Sequence, residues 1–272
     1  MNPSIRSTLY EPPGPRARRR IVAVTACSVA ALAAALGLVV HRFRVAGQLS
    51  PRYWAFFLQP TTWHFLGRGL LGTLSAALVS GVLAFTMGFF LMLCRIQRRP
   101  LLRSLSRMLT EFSRGVPTLL YIYFFFLVVP QLGLRLPALW KLSLPVAISA
   151  AGVVAEMLRS GVNAVPRGQR EAALSLGMTE HACFCRVVLP QALRYVIPGL
   201  ISELVIVVKD TTFAYIVSFP DLMQNARVLI SNYDAMLSVY LFVAVLYIAI
   251  NFLLNHASLL AARRWHASER TR

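Results

Sequence analysis

The chain has 272 residues, 57% of them hydrophobic and only 14% charged, with a mean hydropathy of +0.62. A soluble domain normally carries about a quarter charged residues, so lipid is the solvent for much of this chain. The net charge of +18 would suit a phosphate-binding surface. The arginines, however, fall in clusters between apolar runs, as membrane orientation requires. Nucleic-acid recognition would gather them on one soluble face, and that function is excluded.

A membrane-crossing helix needs about 20 predominantly apolar residues, and six stretches are read as spans. The first is Ile21 to Val40, behind Arg16, Arg18, Arg19 and Arg20. Its apolar run exceeds the 7–15 residues or so of a signal-peptide core, so an uncleaved anchor is expected. Residues 1–20 would be a basic cytoplasmic tail. Residues 21–65 would hold this extra helix and a periplasmic segment with Tyr53, Trp54, Phe56, Phe57 and Trp63, which reads as an interfacial aromatic belt. The second span runs from about Gly67 to Leu93. Leu101, Leu102, Leu105, Met108, Leu109 and Phe112 then recur at helical spacing, with Arg103, Arg107, Glu111 and Arg114 on other faces. This amphipathic stretch should lie near the cytoplasmic interface before Val116 to Val129 crosses the bilayer. The fourth span covers about Ala138 to Leu158, the fifth Tyr195 to Phe219, and the sixth Ala235 to Leu260; residues 261–272 are read as a cytoplasmic tail.

With the N-terminus inside, nineteen basic residues lie in cytoplasmic segments and seven in periplasmic ones. Lys and Arg near span ends are enriched on the cytoplasmic side, so the expected topology is N-in and C-in. The fold class is therefore an all-α integral membrane bundle of six transmembrane helices.

The segment between the fourth and fifth spans is long and polar. Glu171, Ala172, Ala173, Leu174 and Leu176 suit a short helix, and Gly177 stands where a helix end wants a left-handed residue. Thr179 can cap a second helix, which Pro190 should limit. Two short helices around a glycine turn make a knob suited to docking.

Glu171-Ala172-Ala173, then Gly177, Val187 and Leu189-Pro190 resemble, in type and spacing, the EAA loop of ABC importer permeases, with Val187 for the usual Ile. Arg114-Gly115-Val116-Pro117, Glu156 to Gly161, Val165-Pro166-Arg167-Gly168-Gln169, Leu189 to Arg194 and Lys209-Asp210-Thr211-Thr212 are similar to the polar amino-acid branch, the histidine, glutamine and glutamate type. The likeness runs from about Gly69 to the end of the sixth span. In plan it looks closest to six-span permeases of actinobacterial glutamate importers. The resemblance implies a five-helix permease core over residues 66–260, preceded by the extra helix. It implies a coupling loop at about 161–194 that docks on the ATPase. It also implies two ATPase subunits, a second permease copy or a sister permease, and an extracytoplasmic solute-binding protein as partners.

The chain itself lacks the phosphate-cradling G-x-x-x-x-G-K-[ST]. Its only lysines are Lys141 and Lys209, and neither follows such a loop. It is expected to be a transport component with no catalytic site, cofactor or metal. Cys183 and Cys185 have only His181 nearby, too few ligands for zinc, and Cys27 and Cys94 fall in or beside apolar runs. A secondary transporter would show internal inverted repeats, and none is visible. A membrane enzyme would need a His-rich or Ser/His/Asp constellation, whereas the five histidines are scattered.

A charge at the centre of a span costs about 2.5–3.5 kcal/mol on insertion scales, so such residues turn toward a cavity or a partner. The fifth span holds Glu203, Lys209 and Asp210, followed by Thr211 and Thr212. The resemblance places them on the translocation path, where both signs of charge would suit an amino acid. Glu203 fits an ion-pair network between helices equally well. Glu156 and Arg159 are expected to pair along one helix.

Overall fold

The computed structural model describes residues 14–267, and within them every regular element is helical. The tails read at 1–20 and 261–272 lie partly outside the described residues. The chain divides into two compact units between Ala55 and Phe56.

The first unit is dominated by α1 (Pro15–Val45), which buries none of its residues. It starts before the expected Ile21 because Pro15, with its fixed φ and no N–H to lose, suits the first helical turn. Arg42 and Arg44 lie in its last turn, where cations complement the helix dipole.

The second unit is a bundle. In order it holds α2 (Pro60–Ile96), α3 (Pro100–Gly115), α4 (Thr118–Tyr123), α5 (Ala138–Ala164), α6 (Arg167–Ser175), α7 (Glu180–Cys183), α8 (Leu189–Asp210), α9 (Leu222–Tyr233) and α10 (Met236–Ala267). Helices α1, α2, α5 and α10 are each long and apolar enough to cross a membrane, and the bent pair formed by α3 with Thr118–Leu132 makes a fifth candidate. Helix α8 carries Arg194, Glu203, Lys209 and Asp210 and falls outside that group.

Two expected spans are interrupted. The third begins at Thr118 and passes into a π-helical turn over Phe124–Val128. The fifth is α-helical only to Asp210, then 3-10 over Thr211–Val217, and Ser218 ends it with φ 53°. A left-handed non-glycine residue closes the helix there, and α9 follows, an element the hydropathy pattern did not indicate.

Helix α2 packs along α5. On α2, Gly69, Thr73, Ala77, Ser80, Ala84 and Gly88 are buried at intervals of three or four residues. Lipid tails are as apolar as leucine, so helices in a bilayer associate through close packing of small residues. At Gly88 the approach is so close that a Cβ would stand 2.8 Å from the Ala151 carbonyl oxygen. The core joins Ala76 and Ala84 of α2 to Leu142, Val146 and Ala150 of α5, and to Val207 and Val208 of α8. Large apolar side chains point outward instead, among them Leu71, Leu78 and Phe90 on α2 and Leu241, Ile248 and Phe252 on α10. A soluble monomer rarely exposes such a surface.

The aromatic segment is not wholly a belt. Phe56 is only 2% exposed and stacks on Tyr233 with ring centroids 4.6 Å apart. Trp63, half exposed, meets Phe242 edge-on. Asp221 then fixes α9 by accepting from the Gln224 N–H at 2.7 Å, while the Leu222 N–H donates to Thr73 Oγ1 at 3.0 Å. These bonds satisfy amides that a helix start leaves unpaired.

Candidate functional site

The polar segment folds as a helical hairpin. Helix α6 ends at Ser175, and Gly177 takes φ +83°, which a residue with a Cβ adopts only with strain. The Thr179 side chain accepts from the Ala182 N–H at 3.3 Å and so caps α7. Pro190 does not stop the second arm. A π-helical turn over Phe184–Val188 leads directly into α8, with Pro190 in its first turn, where its missing N–H costs little.

Ala173 is buried against Val165, Cys183, Val188 and Ala192, with Val187 and Leu174 packed beside them. Small size at Ala173 therefore lets the arms close. Glu171, Ala172, Gly177 and Pro190 are exposed, and Leu189 is partly buried. Leu176 projects fully into solvent at the tip. Val187 thus belongs to the packed inner side of the hairpin, Leu189 packs instead on the bundle beside Met92, Val154 and Leu158, and Glu171 and Ala172 lie on the outer side. Glu180 ties the hairpin to the bundle, accepting from Arg170 at 2.7 Å and Arg98 at 3.2 Å. The Arg170 hydrogen bond holds its carboxyl below the usual range, and Arg98 acts in the same direction. Neither Glu180 nor its arginines stood out in the sequence, because Arg98 lies 82 residues away and Arg170 meets Glu180 only once the hairpin has folded back on itself.

Helix α8 separates its charged residues. Asp210 accepts from Thr118 Oγ1 at 2.8 Å, and Thr118 lies 2.9 Å from Ser149 Oγ. Thr118 has one proton, so Ser149 must donate to it. The bond ties the start of α4 to the end of α8, beside the bend between α3 and α4. Lys209 is exposed and has no ion-pair partner among the described residues. It does not meet Asp210, since neighbours on a helix diverge by about 100°. Thr211 and Thr212 donate to the carbonyls of Val208 and Lys209.

Glu203, seven residues before Asp210, sits two turns away on the same face. It is 5% exposed and lines a groove of about 290 Å³ with Leu78, Gly81, Val82, Phe85 and Leu204. No interhelical ion pair engages it among the described residues. Glu156 does make one. Arg159 Nε approaches both its oxygens at 3.1 and 3.2 Å, and Arg95 of α2 lies 3.4 Å away, joining α2 to α5. Thr118, Ser149 and Arg95 were not legible as site residues, since each acquires its role only through a contact between helices. Cys185 lies 3.7 Å from His181, and no three potential metal ligands gather among the described residues.

In sequence and fold the chain is similar to known proteins. Residues 80–266 match the family model described as binding-protein-dependent transport system inner membrane component. The probable glutamine ABC transporter permease protein GlnP of Bacillus subtilis is 32% identical over 203 residues, 74% of this chain and 91% of that protein. The glutamate transport system permease protein GluD of Corynebacterium glutamicum is 32% identical over 216 residues, 77% of this chain and 78% of its own length. Among solved structures, one described as an amino acid ABC transporter with histidines superposes with a TM-score of 0.71 at 27% identity, covering 77% of this chain and 98% of that one. With more than two thirds of its length under the family model, and multiple helices apolar enough to span a bilayer, this chain belongs to the family of inner-membrane components of binding-protein-dependent transport systems.

Proposed function

We propose that the chain is the pore-forming permease of an ABC importer for a polar amino acid, of the glutamate or glutamine type. The observation that carries the substrate class is the 32% identity to the glutamine and glutamate permeases over about three quarters of the chain. ATP hydrolysis belongs to a separate subunit. Two ATPases, a second permease copy or sister permease, and an extracytoplasmic binding protein complete the machine. The chain crosses the membrane six times with both ends inside, α8 and its 3-10 extension forming the fifth span. Residues 66–260 are the permease core.

The hairpin is the coupling element. Ala173 and Val187 hold its arms together, Leu189 anchors it to the bundle, Gly177 and Pro190 shape its path, and Glu171 and Ala172 meet the ATPase. Substrate passes along the face of α8 that carries Glu203 and Asp210, with Lys209, Thr211 and Thr212 at its end. The Glu203 carboxyl, without an ion-pair partner among the described residues and beside an open groove, supports this reading over an interhelical ion pair, which would engage it.

Uptake of labelled glutamate and glutamine into proteoliposomes containing permease, ATPase and binding protein tests the reading. ATP-dependent accumulation of either supports it, and absence of uptake for any polar amino acid refutes it. Glu171→Arg should leave the protein in the membrane yet weaken co-purification of the ATPase; unaltered co-purification and transport would remove the docking assignment. Topology is tested with native cysteines replaced. Gln48→Cys should react with an impermeant thiol reagent from outside, and Ser175→Cys only after lysis.

A further inference from the structure

Helix α3 has three faces. Ser106, Thr110 and Ser113 are buried toward the bundle; Ser106 Oγ donates to the Leu91 carbonyl at 2.6 Å, and Ser113 Oγ donates to the carbonyl of Ile148. Leu101, Leu105, Met108, Leu109 and Phe112 form a second, exposed face. Arg103, Arg107 and Arg114 form a third, opposite the apolar stripe at 100° per residue. Because its first turn lies beside the end of α2 and Ser113 reaches the middle of α5, the helix runs obliquely into the bundle.

The arginine face is unbalanced. Arg98 and Arg95 nearby are engaged by Glu180 and Glu156. Arg103 and Arg107, with Arg99 in the capping position just before the helix, are exposed, and their guanidinium groups have no hydrogen-bond or ion-pair partner among the described residues. Glu111 is the one carboxylate on α3. An apolar stripe backed by unpaired guanidinium groups matches a bilayer interface, acyl chains on one side and phosphates on the other. Guanidinium suits this because its planar fork bonds phosphate oxygens in pairs.

We propose that α3 is a docking surface for anionic phospholipid headgroups of the inner leaflet, held by Arg99, Arg103 and Arg107. This rests on the inside-facing orientation proposed above. Charge complementarity selects the occupant: net positive guanidinium groups bind net negative headgroups, whereas a second copy would bring its own α3 and oppose like charges. The surface also has a route to the transport path. Helix α3 turns by 96° into α4, whose first residue, Thr118, bonds Asp210.

The test uses the intact complex with its ATPase and binding protein in nanodiscs of phosphatidylcholine, with or without phosphatidylglycerol. Native mass spectrometry should show preferential retention of phosphatidylglycerol. The variant Arg99→Gln, Arg103→Gln, Arg107→Gln should lose affinity for it by roughly fivefold per arginine removed. The corresponding triple Arg→Lys variant keeps the charge and should retain most of the preference, which separates headgroup binding from misfolding. Equal retention of both lipids by the wild type would overturn the proposal. So would unchanged retention by the triple Gln variant, or an equal loss in Arg18→Gln, Arg19→Gln, Arg20→Gln. Displacement of the lipid by millimolar inorganic phosphate alone would make the surface a free-anion site and overturn it too. Dissociation of permease copies in the triple Gln variant would assign the face to a protein contact. Ser175→Cys labelling tests the orientation independently. Outside labelling with lipid selectivity intact would overturn the inner-leaflet assignment while leaving the headgroup contact.

Discussion

Adding one methyl group at Gly161 should loosen the base of the helical hairpin. Gly161 lies in the last turns of α5, pressed against the start of α8. A Cβ there would stand 2.8 Å from the Ala192 carbonyl oxygen and 2.5 Å from Val196 Cγ1. The carbonyl is helix backbone and cannot turn aside, and valine has little χ1 freedom on a helix. Gly161→Ala must therefore push α5 and α8 apart by several tenths of an ångström. Overpacking of this kind costs about 1–3 kcal/mol, only partly offset by alanine's better helix propensity of roughly 1 kcal/mol. For a domain of this size the thermal midpoint falls roughly 2–4 °C per kcal/mol. Thermal unfolding of the purified complex in detergent is the assay, with ATP hydrolysis stimulated by binding protein as a second readout. Gly168→Ala is the control, because nothing lies within 4 Å of its Cβ position; it should leave the midpoint unchanged or raise it. Gly177→Ala should cost about 1 kcal/mol through its positive φ rather than through crowding. If Gly161→Ala unfolds with the wild type, or Gly168→Ala costs as much, the close-approach argument is wrong.

Thr118→Val removes the donor to Asp210 and should destabilise by about 1.5–3 kcal/mol if that carboxylate is charged, while Thr118→Ser should keep the midpoint; equal midpoints for Val and Ser would remove the bond's importance. Asp210→Ala should lower uptake with expression and ATPase binding intact, and full uptake by a well-folded Lys209→Met, Asp210→Leu protein would show that these charges do not serve the substrate. Because the Arg170 bond depresses the Glu180 carboxyl, its stabilising contribution is present above the ordinary carboxylate range and lost as pH falls through the lowered value. Amide protection over residues 167–188, with exchange corrected for its intrinsic pH dependence, should accordingly fall on acidification, and Glu180→Gln should abolish that change in protection. Phe56→Ala should cost about 3–5 kcal/mol as a buried aromatic deletion, whereas a purely interfacial anchor would give a much smaller change in midpoint.

The sequence by itself determined the solvent, the secondary-structure class and the hairpin. Long apolar runs can satisfy their backbone in lipid only as helices. The left-handed Gly177 and the Thr179 cap were legible because local residue chemistry settles them within a few positions. The family signal lay in the same spacing, where the hairpin's own packing needs Ala173 and Val187. Tertiary structure decided the rest. Phe56 looked like its aromatic neighbours, yet packing on Tyr233 made it core. The expected fifth span read as one continuous helix, but its α-helix ends at Asp210, tied to Thr118 on another helix. Glu156 found Arg159 locally, as helical spacing predicted, but acquired Arg95 only from the α2–α5 contact. Hydropathy records how much apolar surface a segment carries and not which neighbour covers it. In a bundle whose lipid-facing and core-facing residues are similarly apolar, that assignment falls to shape: small residues where helices meet, large ones toward the bilayer.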